Sequence, residues 1–210
     1  CSVSIAKNGI IVALKELNEG AYSHAEKLHE FIKAVSMEAN IKLSDLSAVA
    51  VSKGPGSYTG LRIGVSAAKG LCFALNIPLI SIDTLQSLAQ SISIKEGYII
   101  PLLDARRMEV YSSVYNEKHE NCREVLAEII TENSFENYLE KSKVYFLGDG
   151  GEKCKSIIEH PNAEFIDNKF PSANDMGMLS FDKFKKNDIE DVAYFEPFYL
   201  KDFVAIKSKK

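Results

Sequence analysis

A glycine-rich segment between an apolar run and a small-residue run is the first candidate for binding chemistry. Residues 52–64 read SKGPGSYTGLRIG, and a helical pattern starts inside them. A helix that begins after such a turn leaves backbone N–H groups unpaired, and its dipole favours an anion there. The candidate anion or nucleotide contacts in this turn are Gly54, Gly56 and Ser57.

The spacing of these glycines matches neither common phosphate loop. The dinucleotide fingerprint needs its third glycine three residues after the second, whereas Gly60 follows Gly56 by four residues. A P-loop needs Gly-Lys followed by Ser or Thr, and the segment has no such triplet. Two interpretations therefore stay open, a tight structural turn and an anion site.

Charged and glycine-rich turns occur at two further places. Asp104, Arg106 and Arg107 lie between two predicted strands, where they form either a charged hairpin turn or the mouth of a cleft. Gly148-Asp149-Gly150-Gly151 follows another predicted strand, and Asp-Gly is by itself a strong turn signal. Neither group, taken alone, specifies a reaction.

The residues that most often hold metals or act as nucleophiles are badly spaced here. His24 and His29 are five residues apart, whereas two ligands on one helix face need a spacing of four. The four cysteines form no C-x-x-C pair, which predicts free thiols. No Ser-His-Asp set or nucleophile elbow is visible. We therefore expect no metal and no catalytic residue in this chain.

Composition and charge favour an ordinary protein of one or two domains from the cytoplasm, which is a reducing compartment. The chain has 210 residues, 46% hydrophobic content and a formal charge of −4. No apolar run approaches the roughly 18 residues of a membrane helix. The acidic balance argues against unaided binding to nucleic acid. The basic cluster at the end of the chain is either a solvated tail or a set of phosphate contacts, and it comprises Lys201, Lys207, Lys209 and Lys210.

Hydrophobic periodicity and turn signals predict an α/β architecture in two halves, 1–96 and 97–210. Lys95-Glu96-Gly97 is the predicted linker, and Ser23 starts a capping box. In the first half the pattern predicts strands 2–6, 10–14, 46–51 and 78–82, and helices that begin near residues 23, 60 and 85. In the second half it predicts strands 98–103, 109–115, 144–147 and 163–166, and helices near 135–139, 151–159 and 173–184.

Two helical stripes in the first half are candidates for a partner interface. The first predicted helix carries an apolar stripe, and the second carries small residues every four positions. Such small residues permit close backbone approach, either of the chain's own sheet or of a partner helix. The candidate interface residues are Leu28, Phe31, Ile32, Val35, Gly60, Gly64 and Ala68.

The long block GPGSYTGLRIGVSAAKGLCFALNIPLISIDTLQSLA resembles the N-terminal domain of the TsaB (YeaZ) family. LLDARRMEVYSSVY resembles the start of that family's second domain, and FYLKDFV resembles its usual ending. The resemblance implies two related domains of the actin/Hsp70/sugar-kinase (ASKHA) fold, each a mixed sheet flanked by helices. It also implies an apolar first strand, of the type I-L-x-I-E-T, that would precede Cys1. In the wider fold, a loop such as the one at Gly148 and Gly150 holds an adenosine, which adds Asp104, Gly148 and Gly150 to the candidate nucleotide contacts.

The resemblance further implies a subunit of the machinery that makes threonylcarbamoyladenosine (t6A) on tRNA. The related catalytic subunit, TsaD, carries a His-x-x-x-His metal pair where this chain has Thr84 and Leu88. The implied role is a non-catalytic scaffold that pairs with TsaD and works with the ATPase TsaE. We expect a homodimer in isolation, tRNA contact only through the complex, and no cofactor in this subunit, although the complex has a role for ATP or ADP. The alternatives are a metal-dependent transferase or peptidase, and a small-molecule kinase of the same fold.

Overall fold

The computed structural model describes residues 1–18 and 24–201, and it starts with a hairpin and a long helix. Strands β1 (Ser2–Lys7) and β2 (Ile10–Glu16) pair antiparallel around a turn in which Asn8 has φ 52°. The two predicted strands, 2–6 and 10–14, are thus confirmed as a hairpin. Helix α1 (His24–Ala39) follows, but the predicted cap Ser23 lies outside the described residues.

The rest of the first half is a parallel strand pair with one helix between the strands and another after them. Its elements are β3 (Val49–Gly54), α2 (Tyr58–Leu75), β4 (Leu79–Asp83) and α3 (Thr84–Ala89). Asp83 caps α3, because its Oδ1 accepts from the amides of Leu85 and Gln86 at 3.0 and 3.3 Å. The predicted start of β3 at residue 46 was wrong, since a short 3₁₀ turn occupies Leu43–Asp45 and the strand begins only at Val49.

The second half is one mixed five-stranded sheet with the order β7-β6-β5-β8-β9. Strand β5 pairs antiparallel with β6 and parallel with β8, so it is the central strand. The elements are β5 (Tyr98–Asp104), β6 (Glu109–Asn116), β7 (Asn121–Ile129), α4 (Glu136–Leu139), β8 (Val144–Leu147), α5 (Gly151–Lys155), β9 (Ala163–Ile166) and α6 (Gly177–Lys185), the last after a 3₁₀ turn at Ala173–Met176.

Strand β7 is the element that the sequence pattern missed. Its apolar residues include Leu126, which is 46% exposed, and Ile129, which is 69% exposed. Its charged residues Arg123 and Glu128 are partly buried and form an ion pair at 2.5 Å, and Arg123 also donates to Ser112 at 2.6 Å. Burial in β7 therefore does not follow the usual alternation of apolar inside and polar outside, and a period-two reading finds no strand here. The helix after β8 is also shorter than predicted, since α5 ends at Lys155.

Helix α3 connects the two halves through a shared apolar core. Leu85, Leu88 and Ala89 have no exposed surface, and they pack with Ile99 and other residues of the second sheet, namely Leu103, Tyr115 and Leu147. Burial of a leucine side chain contributes roughly 1.5–3 kcal/mol. The junction is therefore held by several such side chains rather than by a flexible linker.

The polypeptide after β9 returns to the first half. Ala173 exchanges hydrogen bonds with the side chains of Ser2 and Ser4, and Lys183 donates to the carbonyl of Ser81 at 3.0 Å. Glu190 forms an isolated antiparallel bridge with Leu79. The predicted boundary at residues 96 and 97 falls between α3 and β5. Beyond α6, Val192 and Phe195 pack on the first half, and Lys201 forms an ion pair with Glu109 of the second.

We predict that Gly148→Ala lowers the free energy of unfolding by at least about 2 kcal/mol. Gly148 has φ 109°, and a Cβ there would overlap the carbonyl oxygen of Leu102. Gly70→Ala is the matched control, because a Cβ at Gly70 meets nothing within 4 Å and alanine favours the helix by up to about 1 kcal/mol. Urea unfolding of both variants measures the difference. Equal stabilities would show that the Gly148 turn can relax.

Candidate functional site

The glycine-rich turn after β3 is covered by the C-terminal segment. Gly54 has φ 116°, and a Cβ there would lie 2.7 Å from the carbonyl oxygen of Phe198. The amide of Phe198 donates to the carbonyl of Lys53 at 2.7 Å. Gly54 is thus buried and structural, whereas Gly56 is half-buried and Ser57 is exposed. The turn interpretation accounts for Gly54, and an anion contact at the other two residues stays a prediction.

At the start of α2, one of the backbone N–H groups is already bonded within the chain. Ser57 is the N-cap, and its Oγ accepts from the amide of Gly60 at 3.4 Å. The ring of Tyr58 lies 4.9 Å from that of Tyr199, and Arg62 donates to the Tyr58 hydroxyl at 3.1 Å. Two aromatic rings and a guanidinium therefore flank this helix start, next to the segment that covers Gly54.

The Gly148–Gly151 loop is folded onto the end of β5. The amide of Gly150 donates to Leu102 O at 3.1 Å, and that of Gly151 donates to Gly148 O at 3.0 Å. Gly150 is buried, and a Cβ there would press on the backbone of Leu102 and Leu103. The chain's own carbonyls thus take the donors that a phosphate would need. This geometry fits the plain-turn interpretation of the loop, and nucleotide contact at Gly148 and Gly150 stays a prediction.

Two carboxylates and a lysine meet beside this loop. The amide of Asp104 donates to Asp149 Oδ1 at 2.9 Å. Lys153 Nζ forms an ion pair with Asp104 and donates to the carbonyl of Arg107 at 2.9 Å and to that of Glu109. Lys153 thus ties the turn between β5 and β6 to α5. The sequence had placed Asp104 here as a ligand contact, but it gave no sign of Lys153.

The environment of Asp149 disfavours its negative charge. Although the residue as a whole is exposed, loss of hydration around the carboxylate raises its pKa, and the charge of Asp104 adds to this. The hydrogen bond from Asp104 N and the charge of Lys153 act in the opposite direction, and the net result is still a raised pKa. The ionised carboxylate therefore reduces stability at neutral pH.

The two positions that the resemblance equates with a histidine pair lie inside the protein. Thr84 is buried, and its Oγ1 lies 2.6 Å from Ser52 Oγ. Leu88 is fully buried in the core that joins the two sheets. Nearby, the pKa of Tyr115 is raised to about 12, mainly by burial and to a smaller extent by the negative charge of Asp83. A threonine and a buried leucine offer no imidazole or carboxylate to a metal.

The candidate interface residues of α1 and α2 face mainly inward. Val35 and Ala68 are only 1% and 5% exposed. A Cβ at Gly64 would lie 3.8 Å from Val51 of β3, so this glycine faces the chain's own sheet. Phe31, like Leu28 and Ile32, is half-buried. The structure thus shows that some of the candidate interface residues pack against the chain's own sheet. The partner interface stays a prediction.

The outer surfaces of the same helices carry apolar side chains that the sequence analysis did not select. Phe73 of α2 is 85% exposed, and Met37 of α1 is 71% exposed. Neither belongs to a regular stripe, and so helical periodicity could not distinguish them from ordinary surface residues.

The cysteines and potential metal ligands of the described residues form no cluster. All four cysteines are free, and burial raises the pKa of the Cys154 thiol to about 11, which makes it a poor nucleophile. Within residues 1–18 and 24–201, no group of three His, Cys, Asp or Glu side chains could hold a metal ion. The described helices also include none with the length and hydropathy of a membrane span.

We predict that Asp149→Asn raises Tm at pH 7 by about 1–3 °C, because a solvent-accessible group contributes less than about 1 kcal/mol. The folded-state pKa lies above the unfolded one, so the wild type gains stability as pH falls through the folded-state value. The advantage of the variant should therefore shrink below about pH 4. Thermal melts from pH 3 to 7 measure this, with the exposed Asp182→Asn as control. An advantage that grows on acidification would contradict the assignment.

Comparison with known proteins agrees with this architecture. The family model described as TsaD, tRNA N6-adenosine threonylcarbamoyltransferase, matches residues 18–208. A crystal structure from Pseudomonas aeruginosa, of an uncharacterized protein with similarity to peptidase YeaZ, superposes with a TM-score of 0.77 at 25% identity, covering 90% of this chain and 93% of that one. YeaZ from the same organism superposes with a TM-score of 0.74 at 24% identity over 95% and 94% of the two chains.

Curated relatives carry the name tRNA threonylcarbamoyladenosine biosynthesis protein TsaB. That of Buchnera aphidicola (subspecies Schizaphis graminum) is 35% identical over 79% of this chain and 85% of its own length. That of Escherichia coli is 28% identical over 99% and 92%. That of Bacillus subtilis is 34% identical over 65% and 61%, so the match spans less than two thirds of that protein.

The two α/β halves, with their sheets flanked by helices, have the ASKHA fold that the resemblance implied. The matched region contains the glycine-rich turn, Thr84, Leu88 and the Gly148 loop. Family model and relatives agree over most of the chain, and the chain therefore belongs to the TsaB (YeaZ) branch of the TsaD family.

Proposed function

We propose that this chain is a non-catalytic subunit of the cytoplasmic machinery that makes t6A on tRNA, and that it docks and positions TsaD. The relatives named TsaB support a role in this pathway. TsaD, with the ATPase TsaE as a further partner, would carry out the transfer to the tRNA base.

The observation that carries the non-catalytic assignment is the replacement of a metal-binding pair by core residues. Leu88 has no exposed surface, and Thr84 is engaged with Ser52. A histidine at position 88 would place a polar ring among apolar side chains, which costs free energy unless the ring is hydrogen-bonded. Positions 84 and 88 can therefore serve either the packing of α3 or the binding of a metal, but not both.

The docking surface would lie on α1 and α2, where the interface residues were selected from the sequence. Val35 and Ala68 are buried, so they would support the surface from beneath. Phe31 is half-buried on α1 and is free to contribute apolar area to a partner. The same surface would pair with a second copy of the chain when TsaD is absent, which gives the homodimer.

Nucleotide and tRNA would be handled by the complex rather than by this subunit. The chain carries a formal charge of −4, which leaves little long-range attraction for a polyanion. Lys201 is ion-paired with Glu109, and Lys153 is ion-paired with Asp104. Lys207, Lys209 and Lys210 lie outside the described residues, and their contact with phosphate in the complex stays a prediction.

We predict that Phe31→Asp weakens binding to TsaD at least tenfold, because an unpaired carboxylate would be buried in an apolar interface. Met37→Asp is the matched control, since it makes the same charge change on an exposed part of α1 outside the stripe. Sedimentation velocity with purified TsaD measures the affinity, and the chain alone should sediment as a dimer. If Met37→Asp weakens binding and Phe31→Asp does not, docking uses another face.

The purified chain should contain no stoichiometric iron or zinc. The physical reason is the buried threonine and leucine at the positions of the histidine pair. Elemental analysis after mild purification tests this, with TsaD purified in parallel as the positive control. One tightly bound metal ion per chain would contradict the scaffold assignment.

A further inference from the structure

Strand β7, the longest of the described strands at nine residues, forms an open edge of the second sheet. Among the described strands it pairs only with β6, so its other side is available to a further strand. It contains no lysine and no proline, the residues that commonly protect such an edge. Leu126 and Ile129 add exposed apolar surface to it. An edge of this kind is a template for one more strand.

The carboxyl half of β7, where its register is regular, directs alternate backbone groups away from β6. Ile130 N donates to Met108 O at 3.0 Å, and the register of the two strands places these residues opposite each other. In an antiparallel pair, such hydrogen-bonded positions alternate with positions whose N–H and C=O point outward. Leu126 is therefore bonded to β6, whereas Ala127 and Ile129 direct their donors and acceptors to the open edge.

The C-terminal segment reaches the second half beside this end of β7. Lys201 forms an ion pair with Glu109, and Glu109 lies opposite Ile129 in the pairing of β6 with β7. Residues that lie opposite each other in a sheet share a face, so the ion pair and the exposed side chain of Ile129 are neighbours on one face. The residues that follow Lys201 in the chain therefore start at the carboxyl end of β7.

These following residues have the length and polarity that the edge requires. Residues 202–210, which lie outside the described part of the chain, read DFVAIKSKK. Fully extended, they would span about 30 Å, which is also the length of a nine-residue strand. Their first half contains Phe203, Val204 and Ile206, and their second half contains three lysines. Because the segment starts at the carboxyl end of β7, it would run antiparallel to that strand.

The polarity of the edge changes along its length in the same order. The carboxyl end carries the apolar side chains of Leu126 and Ile129. The amino end and the turn before it are mainly acidic, and their exposed charged residues are Glu117, Lys118, Glu120 and Glu124. An antiparallel segment would bring its apolar half to the apolar end and its lysines to the glutamates. Opposite charges on neighbouring strands favour this direction.

We propose that the segment that follows Lys201 adds to β7 as a sixth, antiparallel strand of the second sheet, with its lysines beside the acidic end of β7. The ion pair of Lys201 and Glu109 anchors the segment at its start. The chain thereby covers its own open edge. Lys207, Lys209 and Lys210 would then be paired with carboxylates of the same chain in the free protein, rather than directed at a phosphate. This inference does not depend on the proposed function.

Hydrogen exchange of the full chain tests the added strand. The comparison is with a variant of the same length in which Val204→Asp and Ile206→Asp remove the apolar half of the segment. In this variant the amides of Ala127 and Ile129 should exchange at least about tenfold faster, because they lose their partners at the edge. The amide of Leu126, already bonded to β6, should change less. Unchanged exchange at Ala127 and Ile129 would overturn the proposal.

Two matched substitutions locate the contact on the sheet. Ile129→Lys and Ile10→Lys make the same change at isoleucines that are both 69% exposed on edge strands, β7 and β2. Ile129→Lys should speed the exchange of the Val204 and Ile206 amides, whereas Ile10→Lys should leave it unchanged. Protection of the Ile99 amide reports that the second half remains folded in both variants. Equal effects of the two substitutions on the segment would contradict docking at β7.

Charge reversal tests the direction of the added strand. Glu124→Lys should repel the lysine-rich half and speed the exchange of the Ile206 amide. Lys207→Glu with Lys209→Glu in the same chain should restore the slow exchange, because the opposite charges again face each other. Equal exchange in the wild type and both variants would overturn the antiparallel direction.

Dilution distinguishes this segment from a second copy of the chain as the occupant of the edge. Exchange at Ala127 and Ile129 should be independent of protein concentration, because the added strand belongs to the same molecule. Protection that disappears on dilution would overturn the proposal, since the strand would then come from another molecule.

Discussion

The burial of α3 between the two halves is the contact on which the rest of the structure depends. Leu85, Leu88 and Ala89 pack on β5 and β8, and Asp83 caps the helix at the end of β4. The parallel pair β3-β4 must then end at the junction, with Ser52 and Thr84 in contact. The position of the glycine-rich turn follows, because it leaves β3 two residues after Ser52. One short helix thus fixes where the glycine-rich turn lies relative to the second half.

That constraint also decides what the junction can do chemically. Thr84 and Leu88 are one helical turn apart on a buried face of α3, which is the geometry that a pair of metal ligands would need. The chain uses this face for packing instead, and burial of these residues contributes to stability. Beside it, Lys153 and Lys201 are paired with carboxylates of the chain itself. The junction therefore consists of an apolar core with paired charges at its edge.

Much of this architecture could be predicted from the sequence, because local signals agree with tertiary packing there. The Asn8 turn, the Asp83 cap and the strand-turn-helix around Gly54 each have a strong residue signature. Strand β7 could not be predicted, since its charged residues Arg123 and Glu128 are partly buried while the apolar Ile129 is exposed. The orientation of α2 was equally hidden, because helical spacing shows which residues share a face but not what that face meets. The role of Lys153 was hidden for a similar reason, since its three acceptors come from residues 104–109, far away in the sequence.

The two halves share one plan but differ in what stabilises the centre of each sheet. In the second half, β5 supplies hydrogen bonds to both neighbours and apolar side chains to both faces. In the first half, α1 packs on the hairpin and α2 on the parallel pair, so each helix rests on a different sheet. Helices α1 and α2 also contact each other, and α6 contacts both β2 and β4. The geometry of any surface formed jointly by these two helices therefore depends on how both sheets are placed.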